Sequence, residues 1–142
     1  MSVESWIAYD FAVLRAVPHV HLGRFVPVGV IVHARTADFL GLRALTDVEE
    51  LRARVPDVDH ALLARYLRAC CSVARGEAAA GPVGLVPTSE RFHWLTAPRS
   101  DVLQSSPVHA GLARDPAAAL DELFSEYVLG QPVGLGHTDR RQ

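Results

Sequence analysis

The sequence predicts an α+β fold, with an antiparallel sheet of about three to four strands that begins with an N-terminal hairpin and packs against three to four helices. Two early segments of the 142-residue chain alternate apolar and polar side chains, which is typical of strands. Later segments repeat their apolar residues at helical spacing and carry capping residues. Because runs of strands precede runs of helices, the pattern favours α+β over a parallel sheet.

The predicted strands lie mostly in the first third of the chain. The first covers residues 6–17 and ends at Pro18, and the second covers 24–35, with valine at every second position from 26 to 32. Pro27 cannot donate a ladder hydrogen bond, which indicates an edge strand or a bulge near that point. A short third strand is predicted over 38–45, and a strand or extended segment over 102–110.

Local signals place the helices. Thr46 and Glu49 form a capping box for a first helix that Pro56 ends, and Asp57 is predicted to cap a second helix reaching about residue 75. Residues 76–87 are rich in Gly, Ala and Pro and predict a loop. Ser89 is expected to cap a short helix ending near residue 96. The start of the last helix is predicted from Asp115 as its N-cap and Pro116 in its first turn. Its end is predicted from Gly130, which lies just past it.

These elements predict one domain over residues 1–130, followed by a flexible tail over 131–142. Hydrophobic residues make up 49% of the chain and the formal net charge is −2. No basic run is present, so nucleic-acid binding is not expected. No signal peptide is visible and no apolar run reaches the length of a membrane span, so the expected location is the cytoplasm.

The usual catalytic motifs are absent from the sequence. The chain has no lysine, which excludes a phosphate-binding loop and Schiff-base chemistry. His19 and His21 are spaced to hold a metal only with a further ligand such as His33, and solvent-exposed loop histidines are the simpler expectation. The adjacent Cys70 and Cys71 lie in a helical pattern and are expected to be small buried side chains. We therefore expect no metal site and no cofactor.

One polar segment is a candidate ligand site. Between residues 99 and 109, hydrogen-bonding side chains are dense in an otherwise apolar stretch. An arginine can clamp a carboxylate or phosphate, and a serine beside a histidine can form a nucleophile–base pair. The alternative is a loop whose serines cap turns and whose arginine pairs with Asp101. The candidate residues are Arg99, Ser100, Gln104, Ser105, Ser106 and His109.

Three arginines of the hairpin are candidates for partner binding. Arg15 and Arg24 are expected to flank the turn between the first two strands, and Arg35 is expected at the C-terminal end of the second strand. An exposed basic edge is the simpler interpretation, and a docking surface for an acidic partner is the other.

The opening residues resemble a known family. The stretch 9–18, Tyr-Asp-Phe-Ala-Val-Leu-Arg-Ala-Val-Pro, and the stretch 23–32, Gly-Arg-Phe-Val-Pro-Val-Gly-Val-Ile-Val, are similar to the start of the bacterial domain-of-unknown-function family number three thousand and thirty-seven. Residues 92–100 and 104–111 resemble a subgroup of it. Arg24 and Pro27 replace the Glu and Asn common there. The resemblance implies no activity, but members are often encoded beside a HipA-like kinase, which implies a possible partner.

Two functions from different classes follow. The first is a non-catalytic accessory or protein-interaction module, possible partner of a HipA-like kinase, which predicts a contiguous apolar patch on the surface. The second is a small anion-binding protein or enzyme using the 99–109 segment, which predicts that those side chains converge on one pocket.

Overall fold

The computed structural model describes residues 5–18, 24–97, 100 and 102–130. Within them the chain forms an antiparallel sheet of five strands and four α-helices, which confirms the predicted α+β class with one strand more than expected. In chain order the elements are β1 Ile7–Ala16, β2 Val26–Ala34, β3 Phe39–Ala44, α1 Val48–Arg54, α2 His60–Ala74, α3 Thr88–Thr96, β4 Leu103–Ser105, β5 His109–Ala113 and α4 Pro116–Tyr127.

The strand order explains the additional strand. β2 lies between β3 and β1, and the far side of β1 is shared by β4 and β5, which follow each other along it. The single segment expected over 102–110 is therefore split into two strands. Leu14 faces Ser105 and Phe11 faces His109, so the three residues 106–108 oppose only two residues of β1. An extra residue of this kind bends a strand and interrupts its ladder.

The predicted hairpin of β1 and β2 is present and carries a bulge. Leu14 faces Gly29 whereas Arg15 faces Pro27, so Val28 is the extra residue. β2 is paired on both sides over residues 29–34, but the ladder to β3 ends at Gly29, so Pro27 pairs with β1 alone and lies both beside the bulge and at a local edge. Pro27 fits the position because an interrupted ladder does not need its missing N–H.

The sheet is covered by helices on both faces. The odd-numbered side chains of β1, including Phe11, share a face with α4, where the ring centroids of Phe11 and Tyr127 lie 5.8 Å apart. We call this the α4 face. The even-numbered side chains point to the opposite face, where α2 and α3 pack and where the His33 and Phe92 rings stack at 5.2 Å. We call this the α2–α3 face. Each layer contributes fully buried side chains to the core, among them Leu63, Leu67, Leu95 and Leu123.

Three predicted helix caps are wrong by one or two residues. Asp47, not Thr46, caps α1, because its carboxylate accepts the Glu50 N–H. Asp59, not Asp57, caps α2 by accepting the Leu62 N–H. Asp57 carries the same carboxylate as Asp59 but has a φ of 58°, so the path of the chain, and not acceptor strength, places Asp59 at the cap. α3 begins at Thr88, one residue before the predicted Ser89 cap, and no side-chain hydrogen bond caps it.

The remaining local signals give a mixed outcome. Pro56 follows the end of α1 as predicted, and Asp115 caps α4 through the Ala117 N–H, with Pro116 in its first turn. Gly130 has a φ of 71°, as expected past a helix end. The 76–87 segment is more regular than the predicted loop, because it contains 3₁₀ turns over Ala78–Ala80 and Pro82–Leu85. In the described chain, no helix combines the length and the apolar character needed to cross a bilayer.

Candidate interaction surface

The serines of the predicted ligand segment bind the chain's own backbone. The Ser100 hydroxyl accepts the N–H groups of Val102 and Leu103 at 3.2 and 3.1 Å, and the Ser105 hydroxyl donates to the Ser106 carbonyl at 2.8 Å. These bonds hold turns, as the structural alternative for this segment predicts. Arg99 and Asp101 lie outside the described residues.

Ser106 bridges the gap between β4 and β5. Its N–H donates to the Val13 carbonyl at 2.8 Å, and its hydroxyl oxygen accepts the Val13 N–H at 2.9 Å. The same hydroxyl donates to the Pro107 carbonyl at 2.8 Å. A side-chain oxygen thus takes the place of a backbone carbonyl where the strand is irregular, so that the N–H of the buried Val13 keeps an acceptor. This contact joins residues 93 positions apart.

The other two polar candidates are separated. Gln104 faces Arg15 and His109 faces Phe11, so both lie on the α4 face but about 13 Å apart along β1. The His109 ring packs on Phe11 with a centroid distance of 5.4 Å. Ser105 faces Leu14 and lies on the opposite face. The described members of the set therefore do not converge on one pocket.

The three arginines predicted to bind a partner do not form one patch. The half-buried Arg15 stacks over Phe25, with its guanidinium carbon 3.9 Å from the ring centroid, and burial lowers its pKa. Its Nε atom is buried and finds no hydrogen-bond acceptor among the described residues. Arg24 is exposed near the same end of the sheet, beside an open depression of about 580 Å³. Arg35 follows the last residue of β2. It lies about 27 Å along that strand from Pro27, the residue that faces Arg15.

A polar chain around His33 was not identified from the sequence. His33 faces Asp10 across the hairpin and is 7% exposed. Its Nε2 lies 3.5 Å from the Thr88 hydroxyl, which donates to the Asp38 carboxylate at 3.0 Å. Burial lowers the pKa of His33, and the nearby Asp10 and Asp38 oppose this only in part. With a neutral imidazole, His33 contacts Thr88, and through Thr88 and Asp38 the turn after β2 is connected to the start of α3.

Metal and thiol chemistry find little support in the described residues. None of their His, Cys, Asp and Glu side chains form a group of three that could hold a metal. The histidines proposed for a metal, His19 and His21, lie outside the described residues. Cys70 is buried as predicted, whereas Cys71 is only half-buried, so the prediction is wrong for that residue. Partial burial still raises the pKa of the Cys71 thiol, which disfavours a reactive thiolate.

Apolar side chains are exposed together on the α2–α3 face, at the end of the sheet formed by β1 and β5. Ala8 faces Leu112, and the same register continued by one pair places Trp6 opposite Arg114, whose guanidinium carbon lies 4.9 Å from the Trp6 ring. Leu112 is 64% exposed and Trp6 is 49% exposed. We call this set the β5 stripe, and it consists of Trp6, Ala8, Val108, Ala110 and Leu112. The exposed Asp10, which faces Ala110, lies on the same face and borders the stripe with a charge.

The backbone of β5 is also accessible beside the stripe. The Val13 and Val17 N–H groups point toward β4 and β5, so the odd-numbered residues of β1 bond on that side. In an antiparallel pair the directly bonded partners alternate. The N–H and C=O groups of residues 109, 111 and 113 therefore point toward β1, whereas those of Ala110 and Leu112 point away from the sheet. Among the described residues, β5 pairs only with β1.

The sequence carried a partial signal for this surface. Val108, Ala110 and Leu112 are apolar at every second position, which predicts a strand with one apolar face. Such a face is ordinarily assigned to the core. Its exposure follows from the position of the helices, since α2 and α3 pack over β2, β3 and β4 but leave this end of the sheet open.

Comparison with known proteins agrees with the resemblance. A family model described as "Protein of unknown function (DUF3037)" matches residues 11–128, from β1 to the residue after α4. No curated protein and no solved structure matches the chain. The family description assigns no activity.

Proposed function

Since this chain belongs to the DUF3037 family, whose description assigns no activity, we propose from its own surface that it is a non-catalytic accessory or protein-interaction module. The β5 stripe is the contact surface for another protein. The observation that supports the proposal is that Trp6, Ala8 and Leu112 are exposed at neighbouring positions of one face, because single exposed apolar residues are common whereas connected ones mark interaction sites.

The composition of the stripe suits a binding surface. Tryptophan is enriched among the residues that dominate interface energies, and Trp6 is half exposed beside Leu112. Complete burial of one large apolar side chain contributes about 1.5–3 kcal/mol. Leu112 retains 64% of its exposure in the folded chain and Trp6 retains 49%, so both keep much of this free energy for a partner.

The polar segment gives the small-ligand function less support than the stripe gives the interaction function. The hydroxyls of Ser100, Ser105 and Ser106 are engaged with backbone groups. Recruiting them for a ligand would break contacts that hold β4 and β5. The HipA-like kinase implied by the resemblance is the first partner to test, and Arg15 with Arg24 would offer it a second, basic contact at the opposite end of β1.

The test is affinity capture from the native host, with and without ATP, read by mass spectrometry. Leu112→Glu places a charge in the stripe, and Leu85→Glu is the matched control because Leu85 is 69% exposed on a separate 3₁₀ turn. We expect the native chain and Leu85→Glu to recover one protein in stoichiometric amount, and Leu112→Glu to lose it at least about tenfold. Equal recovery by both variants would exclude the stripe as the contact.

A further inference from the structure

We propose that the β5 edge pairs with the β5 edge of a second copy of this chain, antiparallel and symmetric about Gly111. The inference rests on the proposed function in treating the β5 stripe as an interface, and it deepens that function by naming an occupant. The result would be one continuous sheet across two chains.

The backbone geometry allows this pairing. Ala110 and Leu112 direct their N–H and C=O groups away from β1, whereas Gly111 faces Tyr9. A two-fold axis beside Gly111 places Ala110 opposite Leu112 of the second copy and Leu112 opposite its Ala110. Residues that face each other in this orientation exchange both of their N–H···O bonds. The N–H and C=O groups of Ala110 and Leu112 would thereby all gain partners.

The side chains are complementary in size in the same register. On the stripe side each Leu112 meets an alanine, and each Val108 meets the arginine at position 114. On the α4 face His109 meets Ala113 and Gly111 meets its own counterpart. At the pairs other than Gly111 with Gly111, a large side chain thus faces a smaller or flexible one, and no like charges meet. Because the axis is perpendicular to the sheet, the two stripes join into one larger apolar surface.

The two edges of the sheet differ in their access. β3, the other edge, is covered by α4 on one face and α2 on the other, and its Arg43 is engaged with Asp121 at 3.0 Å and with the Phe124 ring. β5 is open on the stripe side. Its five residues, His109–Ala113, contain neither Pro nor Arg, which are usual protections against edge pairing, and Arg114 comes only at the margin of the proposed join.

The test is the mass of the full chain in solution, measured by sedimentation equilibrium from about 1 to about 200 µM. Ala110→Pro removes one outward N–H and leaves the ladder to β1 intact, since proline is tolerated where the N–H points away from a sheet. Leu112→Glu adds charge to the join, and Leu85→Glu is the control. We expect the native chain and the control to dimerise, and both stripe variants to raise the dissociation constant at least about tenfold.

The outcomes separate this inference from the proposed function. A native chain that is monomeric at about 200 µM overturns the pairing, and so does a dimer unaffected by both stripe variants. If the native chain is monomeric but Leu112→Glu still abolishes capture of another protein, the proposed function stands without a second copy. If the stripe variants dissolve the dimer while Leu112→Glu captures as much partner as Leu85→Glu, the pairing stands and the heterologous contact lies elsewhere.

Discussion

Replacing Ser106 by alanine should lower the free energy of unfolding by about 1–3 kcal/mol, the usual cost of a buried donor left without its acceptor. Val13 is 6% exposed and its N–H donates to the Ser106 hydroxyl at 2.9 Å. With alanine at 106, the partly buried Val13 N–H loses its side-chain acceptor. For a domain near this size, each kcal/mol lowers Tm by about 2–4 °C.

Urea denaturation followed by tryptophan fluorescence measures the effect. Ser105→Ala is the matched control, because the Ser105 hydroxyl only donates to the adjacent carbonyl, and a change within about 0.5 kcal/mol is expected there. Ser106→Thr keeps the hydroxyl and should recover most of the loss. If Ser106→Ala is as stable as Ser105→Ala, the hydroxyl does not hold the ladder and the segment is again open to a ligand function.

Three further predictions concern single positions. Burial lowers the pKa of His33, so in a range of pH below about 6.5 the unfolded chain binds a proton that the folded chain does not. The free energy of unfolding should therefore be highest above pH about 6.5 and fall as the pH drops from there toward the lowered pKa of the folded chain, and His33→Phe should flatten this part of the pH–stability profile. Asp47→Ala should cost about 1 kcal/mol in thermal or urea unfolding whereas Thr46→Ala costs clearly less, and the reverse order would restore Thr46 as the cap. Gly84→Ala should destabilise the fold by about 1–3 kcal/mol, because the added Cβ meets the Glu77 carbonyl, and an unchanged Tm would show that the turn yields freely.

Local sequence signals were sufficient where one short segment determines the outcome. The alternation in β1 and β2 and the Asp–Pro start of α4 predicted those elements closely. Caps were missed by one or two residues because several neighbouring side chains are chemically able to cap, and only the path of the chain selects Asp47 and Asp59.

The candidate surface depends on contacts that local patterns do not contain. The serines of the polar segment have the composition of a ligand site, but the role of Ser106 is set by Val13, which lies 93 residues earlier. The β5 stripe likewise requires the register between two distant strands and a region that the helices leave uncovered. Apolar alternation predicts a strand face, and only the packing of the remaining chain decides whether that face is buried.

The central claim is that the β5 stripe contacts another polypeptide, and site-specific photo-crosslinking tests it most directly. A photoreactive phenylalanine analogue is placed at position 112 of the full chain in the native host, with the same analogue at position 85 as the control. Our account predicts that position 112 yields a cross-link to one defined polypeptide, either residues 108–114 of a second copy or a distinct partner, and that position 85 does not. Absence of a specific cross-link at position 112, or equal products at both positions, would contradict it.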